Sequence, residues 1–323
     1  MRYIELGRSG LRVSKIGLGT WQIGSSEWGW NRGYSIDEVI KAIVRSHELG
    51  VNFIDTAEIY GGGVSEEVVG RAVREFRDEV VIATKVWPTH ATYDGVLKAC
   101  ERSLRRLGVD VIDLYQVHWP NPLIPLSSTM RAMERLVEQG KVRTIGVSNF
   151  SAGMLRRAQE CLKKEEIVSD QVKYNLVERG VERELLPYCE REGVALIAYS
   201  PLAQGFLTAR YNVSNRPRDF VRRLNPLFDP SVMRRAGPLM ELLREVASRH
   251  GAEPGQIALA WLIKRERVVA IPGAKRAEQV ESNAGAAELE LSEEEWAALS
   301  EAASRIGVGL WPLLKTPLRL LGI

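Results

Sequence analysis

The sequence predicts an α/β fold: a (β/α)8 TIM barrel with an N-terminal β-hairpin, extra helices and a C-terminal tail. Three observations predict it. Eight short, mostly apolar runs recur along the chain, each is followed by an amphipathic stretch of helical period, and 323 residues suit a barrel of about 250 with insertions. Right-handed crossovers put every helix on the same outer side of a parallel sheet, so eight such units close on themselves rather than spread as an open doubly wound sheet. One domain is expected over 1–323.

A hairpin opens the chain, running out over 3–6, turning at 7–10 and returning through 11–13. Strands are predicted at 16–19, 52–55, 80–85, 111–118, 144–148, 169–172, 195–199 and 268–271. Helices are predicted at 36–49, 66–75, 95–107, 128–139, 152–163, 182–192, 254–264 and 277–287. The first of them opens on a capping box of Ser35 with Glu38 and closes at Gly50.

Three segments fall outside the eight units. The stretch 202–237 lacks periodicity, carries Arg210, Arg216, Arg218, Arg222, Arg223, Arg234 and Arg235, and reads as a long loop leading to an extra helix near 239–249. Ser292 and Glu295 cap a further helix running to about residue 306. The tail 307–323 is apolar, but Pro312 and Pro317 interrupt it and it falls short of the roughly 20 residues a membrane span needs. It is expected to pack on the barrel or on a neighbouring subunit.

Composition narrows the function. Hydrophobic residues at 45% and charged residues at 26% describe an ordinary globular chain with a real core. The net charge of +3 arises from 44 basic and 41 acidic residues scattered together, which argues against a nucleic-acid partner. Residues 1–10 carry charges and no apolar signal region, so a cytoplasmic protein without membrane attachment is expected. Cys100, Cys161 and Cys189 are far apart, with no CxxC and no suitably spaced His, so neither disulfide nor metal site is expected.

The chemistry-bearing residues stand where apolar runs stop. Asp55, Lys85 and His118 end strands two, three and four, and Tyr60 follows on the loop after strand two. In a parallel barrel the active site is built at these strand ends, so adjacent strands bring the four together. A buried Lys costs several kcal/mol to desolvate unless an anion lies beside it, and Asp55 is that anion. A phenol titrates near ~10, and a nearby ammonium is expected to lower that by about 1 to 3 units, fitting Tyr60 to proton transfer. Protonating a carbonyl oxygen as its carbon receives a hydride suits this set, and no side chain supplies a hydride, so a cofactor must. The dinucleotide fingerprint is incomplete: Gly17 and Gly19 follow strand one, but Gln22 occupies the third glycine's place, which disfavours a Rossmann site.

The chain resembles the aldo-keto reductases over nearly its whole length. The motifs are Gly17-Leu18-Gly19-Thr20-Trp21, Asp55-Thr56-Ala57-Glu58-Ile59-Tyr60, Ala83-Thr84-Lys85, Asp113-Leu114-Tyr115-Gln116-Val117-His118 and Ile145-Gly146-Val147-Ser148-Asn149-Phe150. Further on stand Gln171-Val172-Lys173-Tyr174-Asn175, Ala198-Tyr199-Ser200-Pro201-Leu202 and Ile271-Pro272-Gly273-Ala274-Lys275-Arg276. The resemblance implies a barrel that binds NADP(H), with Tyr60 as general acid, Asp55 sustaining Lys85, and His118 orienting the carbonyl. It implies that Ser148, Asn149 and Gln171 hold the nicotinamide amide and that Tyr199 stacks on the ring. It further implies that Gly19, Thr20, Trp21 and Asp55 border the cofactor and that Ser200, Pro201, Leu202, Gly205, Leu207 and Arg210 lie along the pyrophosphate within the long loop 200–237. Gly273, Ala274, Lys275, Arg276, Gln279 and Asn283 are expected near the 2′-phosphate. Gly273 stands where many members carry Lys, which leaves NAD(H) use open beside NADP(H).

Trp21, Trp28, Trp30, Trp87 and Trp119 all follow the first four strands. With Tyr60 and His118, Trp21, Trp87 and Trp119 would line an aromatic pocket suited to medium-sized aldehydes and ketones. The resemblance also admits a nucleotide-sensing binding subunit, which an added partner-binding segment would distinguish. Oligomeric state and physiological substrate are not encoded in any motif.

Overall fold

The computed structural model describes residues 1–306, and the tail expected over 307–323 lies outside them. The chain begins with an antiparallel hairpin, β1 (Tyr3–Glu5) and β2 (Arg12–Ser14). Eight strands follow in one parallel sheet: β3 (Leu18–Gly19), β4 (Phe53–Asp55), β5 (Val81–Val86), β6 (Ile112–Val117), β7 (Val142–Ser148), β8 (Ile167–Lys173), β9 (Ala195–Tyr199) and β10 (Val268–Ala270). Their order in the sheet is their order in the chain. The seam between first and last is shut by parallel bridges Ile16 to Ala270 and Gly19 to Gly273, with the Gly17 N–H donating to the Ala270 carbonyl at 2.8 Å. The eight expected strands are thus present and form a barrel.

Main-chain geometry explains the short first strand. A Cβ on Gly19 would meet the Ile271 carbonyl oxygen at 2.8 Å, so only glycine permits β3 to approach the last strand this closely.

Each strand presents alternate residues inward. Phe53, Val81, Ala83, Leu114, Val168, Ile197 and Val269 form the barrel interior, together with Leu6 and Val13 of the hairpin. The hairpin therefore plugs the N-terminal end and leaves the opposite mouth open. Outward residues such as Ile54, Ile82, Tyr115, Val147 and Leu196 pack under the helices in a second, larger cluster. Each such side chain, fully buried, contributes about 1.5 to 3 kcal/mol. Asp170 belongs to this outer face of β8, paired in register with Val147 and Leu196. Burial pushes its carboxyl up to about 8, against the pull of the Phe150 N–H.

The helices are α1 (Ile36–Glu48), α2 (Val64–Val73), α3 (Tyr93–Leu107), α4 (Leu126–Glu138), α5 (Ala152–Glu160) and α6 (Leu185–Glu192), each following its strand. The capping boxes expected at Ser35 and Ser292 both form. Cys100 and Cys189 are buried, and all three cysteines are free. Among the described residues no cluster could hold a metal ion, and no helix is long and apolar enough to cross a membrane.

The arginine-rich segment corrects the expectation of a plain loop. It contains a 3-10 turn (Ala203–Thr208), α7 (Phe220–Leu224) and α8 (Pro230–Arg235) before α9 (Gly237–Arg249). Asp219 and Asp229 each cap a short helix through a side-chain oxygen, and Pro230 occupies a first turn where its missing N–H costs nothing. Helices of five and six residues are too short to show a 3.6-residue period. The chain closes with α10 (Pro254–Ile263), α11 (Ala277–Gly285) and α12 (Glu293–Ser304).

Candidate active site

At the open mouth, Asp55 ends β4, Lys85 lies one residue from the end of β5, and His118 follows β6. Lys85 is wholly buried, and its Nζ donates to Asp55 Oδ1 at 2.6 Å and to the Thr56 carbonyl at 2.8 Å. Asp55 Oδ2 accepts from Gln171 Nε2 at 2.7 Å and Gln116 Nε2 at 3.3 Å. Every oxygen of this buried carboxylate is thereby engaged, the condition under which a buried ion pair survives its desolvation cost. Burial pushes the Lys85 ammonium down from its ordinary value, and Asp55 opposes that shift.

Tyr60 starts a 3-10 turn in which Gly61 and Gly62 take left-handed φ values of 57° and 66°, which folds the loop back over the strand ends. Lys85 Nζ lies 5.1 Å from the Tyr60 ring centroid, and the ring meets His118 edge-on at 5.6 Å. The expected lowering of the phenol is not found. Burial, then Asp55 and Tyr199, raise Tyr60 well above its ordinary value. The physical reason is that burial disfavours the phenolate, while Lys85 is paired with Asp55, whose own charge stands close to the phenol. His118 is pushed down to about 2 by burial and by Lys85, so it is a neutral imidazole, and its Nδ1 is buried without a partner.

The residues expected around a nicotinamide form one chain of hydrogen bonds. Ser148 donates to the Gln171 carbonyl at 2.8 Å, Asn149 Nδ2 to Ser148 Oγ at 2.9 Å, and the Tyr199 hydroxyl to Asn149 Oδ1 at 3.0 Å. Asn149 and Ser200 hold left-handed φ values of 63° and 51°, turning the chain sharply at both strand ends. The Thr20 hydroxyl donates to the Asp55 carbonyl at 2.8 Å and sits 2.8 Å from Ser65 Oγ, so it also braces the strand end.

The segment after Tyr199 is equally bent. Ala203, Gln204 and Gly205 are consecutive left-handed residues, with Pro201 and Leu207 buried and Leu202 partly so. Arg210 is exposed. Across the barrel seam, Gln22 Nε2 donates to the Gly19 and Ala274 carbonyls at 3.1 and 2.6 Å, joining the segments on which Trp21 and Gly273 lie. Lys275 Nζ donates to the Trp28 carbonyl and stands 5.5 and 4.6 Å from the Trp28 and Tyr34 rings. Arg276 binds Glu38 at 3.1 Å and the Gly33 carbonyl at 2.8 Å, and Gln279 Oε1 accepts from the Lys275 N–H at 2.8 Å. The helix opens at Ala277, as the sequence implied, with Arg276 as its cap. Gln279 and Asn283, four apart, share a face of α11.

Apolar side chains ring the mouth. Trp21, Ile59 and Trp119 are 45%, 43% and 44% exposed. Trp87 meets His118 edge-on at 5.1 Å. Trp30 meets Tyr34 edge-on at 5.5 Å. A cavity of about 480 Å³ opens beside Trp119 and Asn149, walled by Phe150, Val172, Val181 and Leu185.

Comparison with known proteins decides what this arrangement belongs to. The model of the Aldo/keto reductase family matches residues 15–304. The chain belongs to the aldo-keto reductase family. It is 46% identical to the Mycobacterium tuberculosis oxidoreductase Rv2298, over 94% of this chain and 93% of that one. It is similar to the thermostable aldo-keto reductase Tm1743, solved with the inhibitor epalrestat, at 40% identity and a TM-score of 0.79, covering 94% and 100% of the two chains. A Klebsiella pneumoniae aldo-keto reductase solved with NADPH is 34% identical with a TM-score of 0.76, covering 93% and 94%. This chain is thus an oxidoreductase of the aldo-keto reductase type.

In this aldo-keto reductase several contributors were not foreseen from sequence. Gln116 occupies an inward position two residues before His118, which strand periodicity could have flagged. Arg222, rather than Arg210, is the arginine of the long segment that is engaged here: it donates to the Gln204 carbonyl at 2.7 Å and lies 5.0 Å from the Trp28 ring. Nothing in the local sequence distinguishes it from its neighbours.

Proposed function

We propose that the protein reduces aldehyde and ketone carbonyls of small molecules to alcohols with NADP(H), in the cytoplasm, and that NAD(H) can also serve. The observation that carries this reading is the buried Lys85–Asp55 pair beneath Tyr60, with neutral His118 at its edge. The similar Klebsiella protein bound to NADPH supports the cofactor. The fit is supported by the Ser148, Asn149 and Tyr199 bonding chain, by the close glycine seam at Gly19, and by Lys275 and Arg276 beside Gln279.

In this reading Ser148, Asn149 and Gln171 hold the nicotinamide amide and Tyr199 covers the ring. Gly19, Thr20, Trp21 and Asp55 border it, Ser200 to Leu202, Gly205, Leu207 and Arg210 follow the pyrophosphate, and Gly273 to Arg276 with Gln279 and Asn283 meet the adenosine phosphate. NADPH, when bound, supplies a hydride that leaves the substrate oxygen alkoxide-like and strongly basic. Tyr60, held protonated by its raised phenol, donates that proton once the basicity of the substrate oxygen develops. Lys85 beneath the ring stabilises the resulting phenolate, and Asp55 keeps Lys85 in place. Neutral His118 orients the carbonyl through an N–H without competing for the proton. Trp21, Trp87 and Trp119 receive the apolar body of the substrate. The test is NADPH oxidation followed with a panel of aldehydes and ketones; no consumption with any of them would sink the reading.

A further inference from the structure

Glu58 lies two residues before Tyr60 on the same loop, and its carboxylate is almost fully buried. A buried carboxylate away from the reacting centre has to be accounted for by its partners. Oε1 accepts the Trp87 N–H at 2.7 Å and lies 2.9 Å from His90 Nδ1, while Oε2 accepts from Arg102 Nη2 at 3.1 Å. The Glu58 N–H in turn donates to the Lys85 carbonyl at 3.4 Å. One side chain therefore joins the loop that carries Tyr60, the loop that carries Trp87 and His90, and α3, which carries Arg102.

Trp87 is the wall of the pocket nearest His118, with ring centroids 5.1 Å apart at 86°. Its backbone N–H follows directly on β5, so whatever holds that N–H sets where the indole stands relative to the imidazole. We infer that Glu58 is a positioning residue that fixes Trp87 against His118 and so sets the width of the substrate pocket for aromatic carbonyls. This rests on the reductase reading given above. The carboxylate is needed rather than an amide, because the Trp87 N–H and Arg102 Nη2 donate to its two different oxygens. Glutamine would offer one acceptor oxygen and place an N–H₂ against either Trp87 or Arg102.

The experiment pairs turnover with a measurement that does not need turnover. In Glu58→Gln, KM for an aromatic aldehyde should rise about 10-fold while KM for a short aliphatic aldehyde and kcat for both change by less than about 2-fold. In the same variant, without substrate, hydrogen exchange at the Trp87 amide should accelerate by about 10-fold or more. Trp87→Phe in the Glu58→Gln background should add little further loss for the aromatic aldehyde, since both act through one wall. Equal losses on both aldehydes, or unchanged exchange at Trp87, would overturn the inference. If the wild-type protein reduced no carbonyl, the functional reading would fall, and the exchange measurement would still decide whether Glu58 pins Trp87.

Discussion

At the proton-transfer end, Lys85 and Asp55 are buried on adjacent strands and hold each other at 2.6 Å, whereas at the end proposed for the phosphates Lys275 and Arg276 stand on a loop and a helix cap. The first pair is buried, and its remaining bonds go to the Thr56 carbonyl, Gln171 and Gln116. The second leans on two carbonyls, two aromatic rings and Glu38, and Arg276 is exposed. Exposed pairs of this kind are screened by water and contribute little, so a phosphate can replace them. Proton transfer requires fixed geometry; anion capture requires charges that can change partner.

Replacing the fixed end should therefore cost turnover, and replacing the exchangeable end should cost affinity. The largest effect is expected for Tyr60→Phe, with kcat for aldehyde reduction falling about 1,000-fold and the Kd for NADPH held. Reduction at the wild-type rate would remove Tyr60 as proton donor. Lys85→Met should lower kcat about 100-fold and also destabilise the fold by roughly 3 to 5 kcal/mol, because Asp55 is left buried and uncompensated. Denaturant titration beside the rate assay reads both losses, and loss of NADPH binding alone would mean the residue has been misread.

At the other end, the double variant Lys275→Ala with Arg276→Ala should raise KM for NADPH about 10-fold, KM for NADH much less, and leave kcat near wild type. A fall in kcat instead would break the division between the two ends. Arg210→Ala should raise KM for NADPH only about 3-fold, since one exposed cation is at stake. An unchanged KM would remove Arg210 from the phosphate path. The smallest effect concerns pH. His118, held near 2, stays neutral and Tyr60, raised above its ordinary value, stays protonated, so kcat for reduction should be flat from about pH 5.5 to 9. A limb bending near pH 6.5 would indicate that His118 titrates after all.

The same division explains what was legible in the sequence. Asp55, Lys85 and His118 end apolar runs, and a strand places its last residue predictably, so the eight-strand barrel and the position of its mouth could be read off the pattern. The long segment could not. Its short helices depend on Asp219 and Asp229 caps, and its path depends on left-handed Ala203 and Gln204, residue types that carry no signal for that conformation. Arg222 could not be told from Arg223 until Trp28, nearly two hundred positions earlier, was brought beneath it. The direction of the Tyr60 shift was also illegible. Proximity to Lys85 was readable, but that Asp55 neutralises it and that burial dominates depends on packing.

Asp170, under the helices on the outer face of β8, ties folding to the proton concentration of the medium. In the unfolded chain its carboxyl gives up its proton near 3.8, and in the folded chain only near 8. Around neutrality each molecule that folds therefore takes a proton up from solution, and unfolding returns it. The folded state gains from this below about pH 4 and loses the gain steadily as pH climbs toward 8. A single carboxyl turned toward the helices thus biases this barrel toward endurance in mildly acidic surroundings over alkaline ones, independently of anything happening at its mouth.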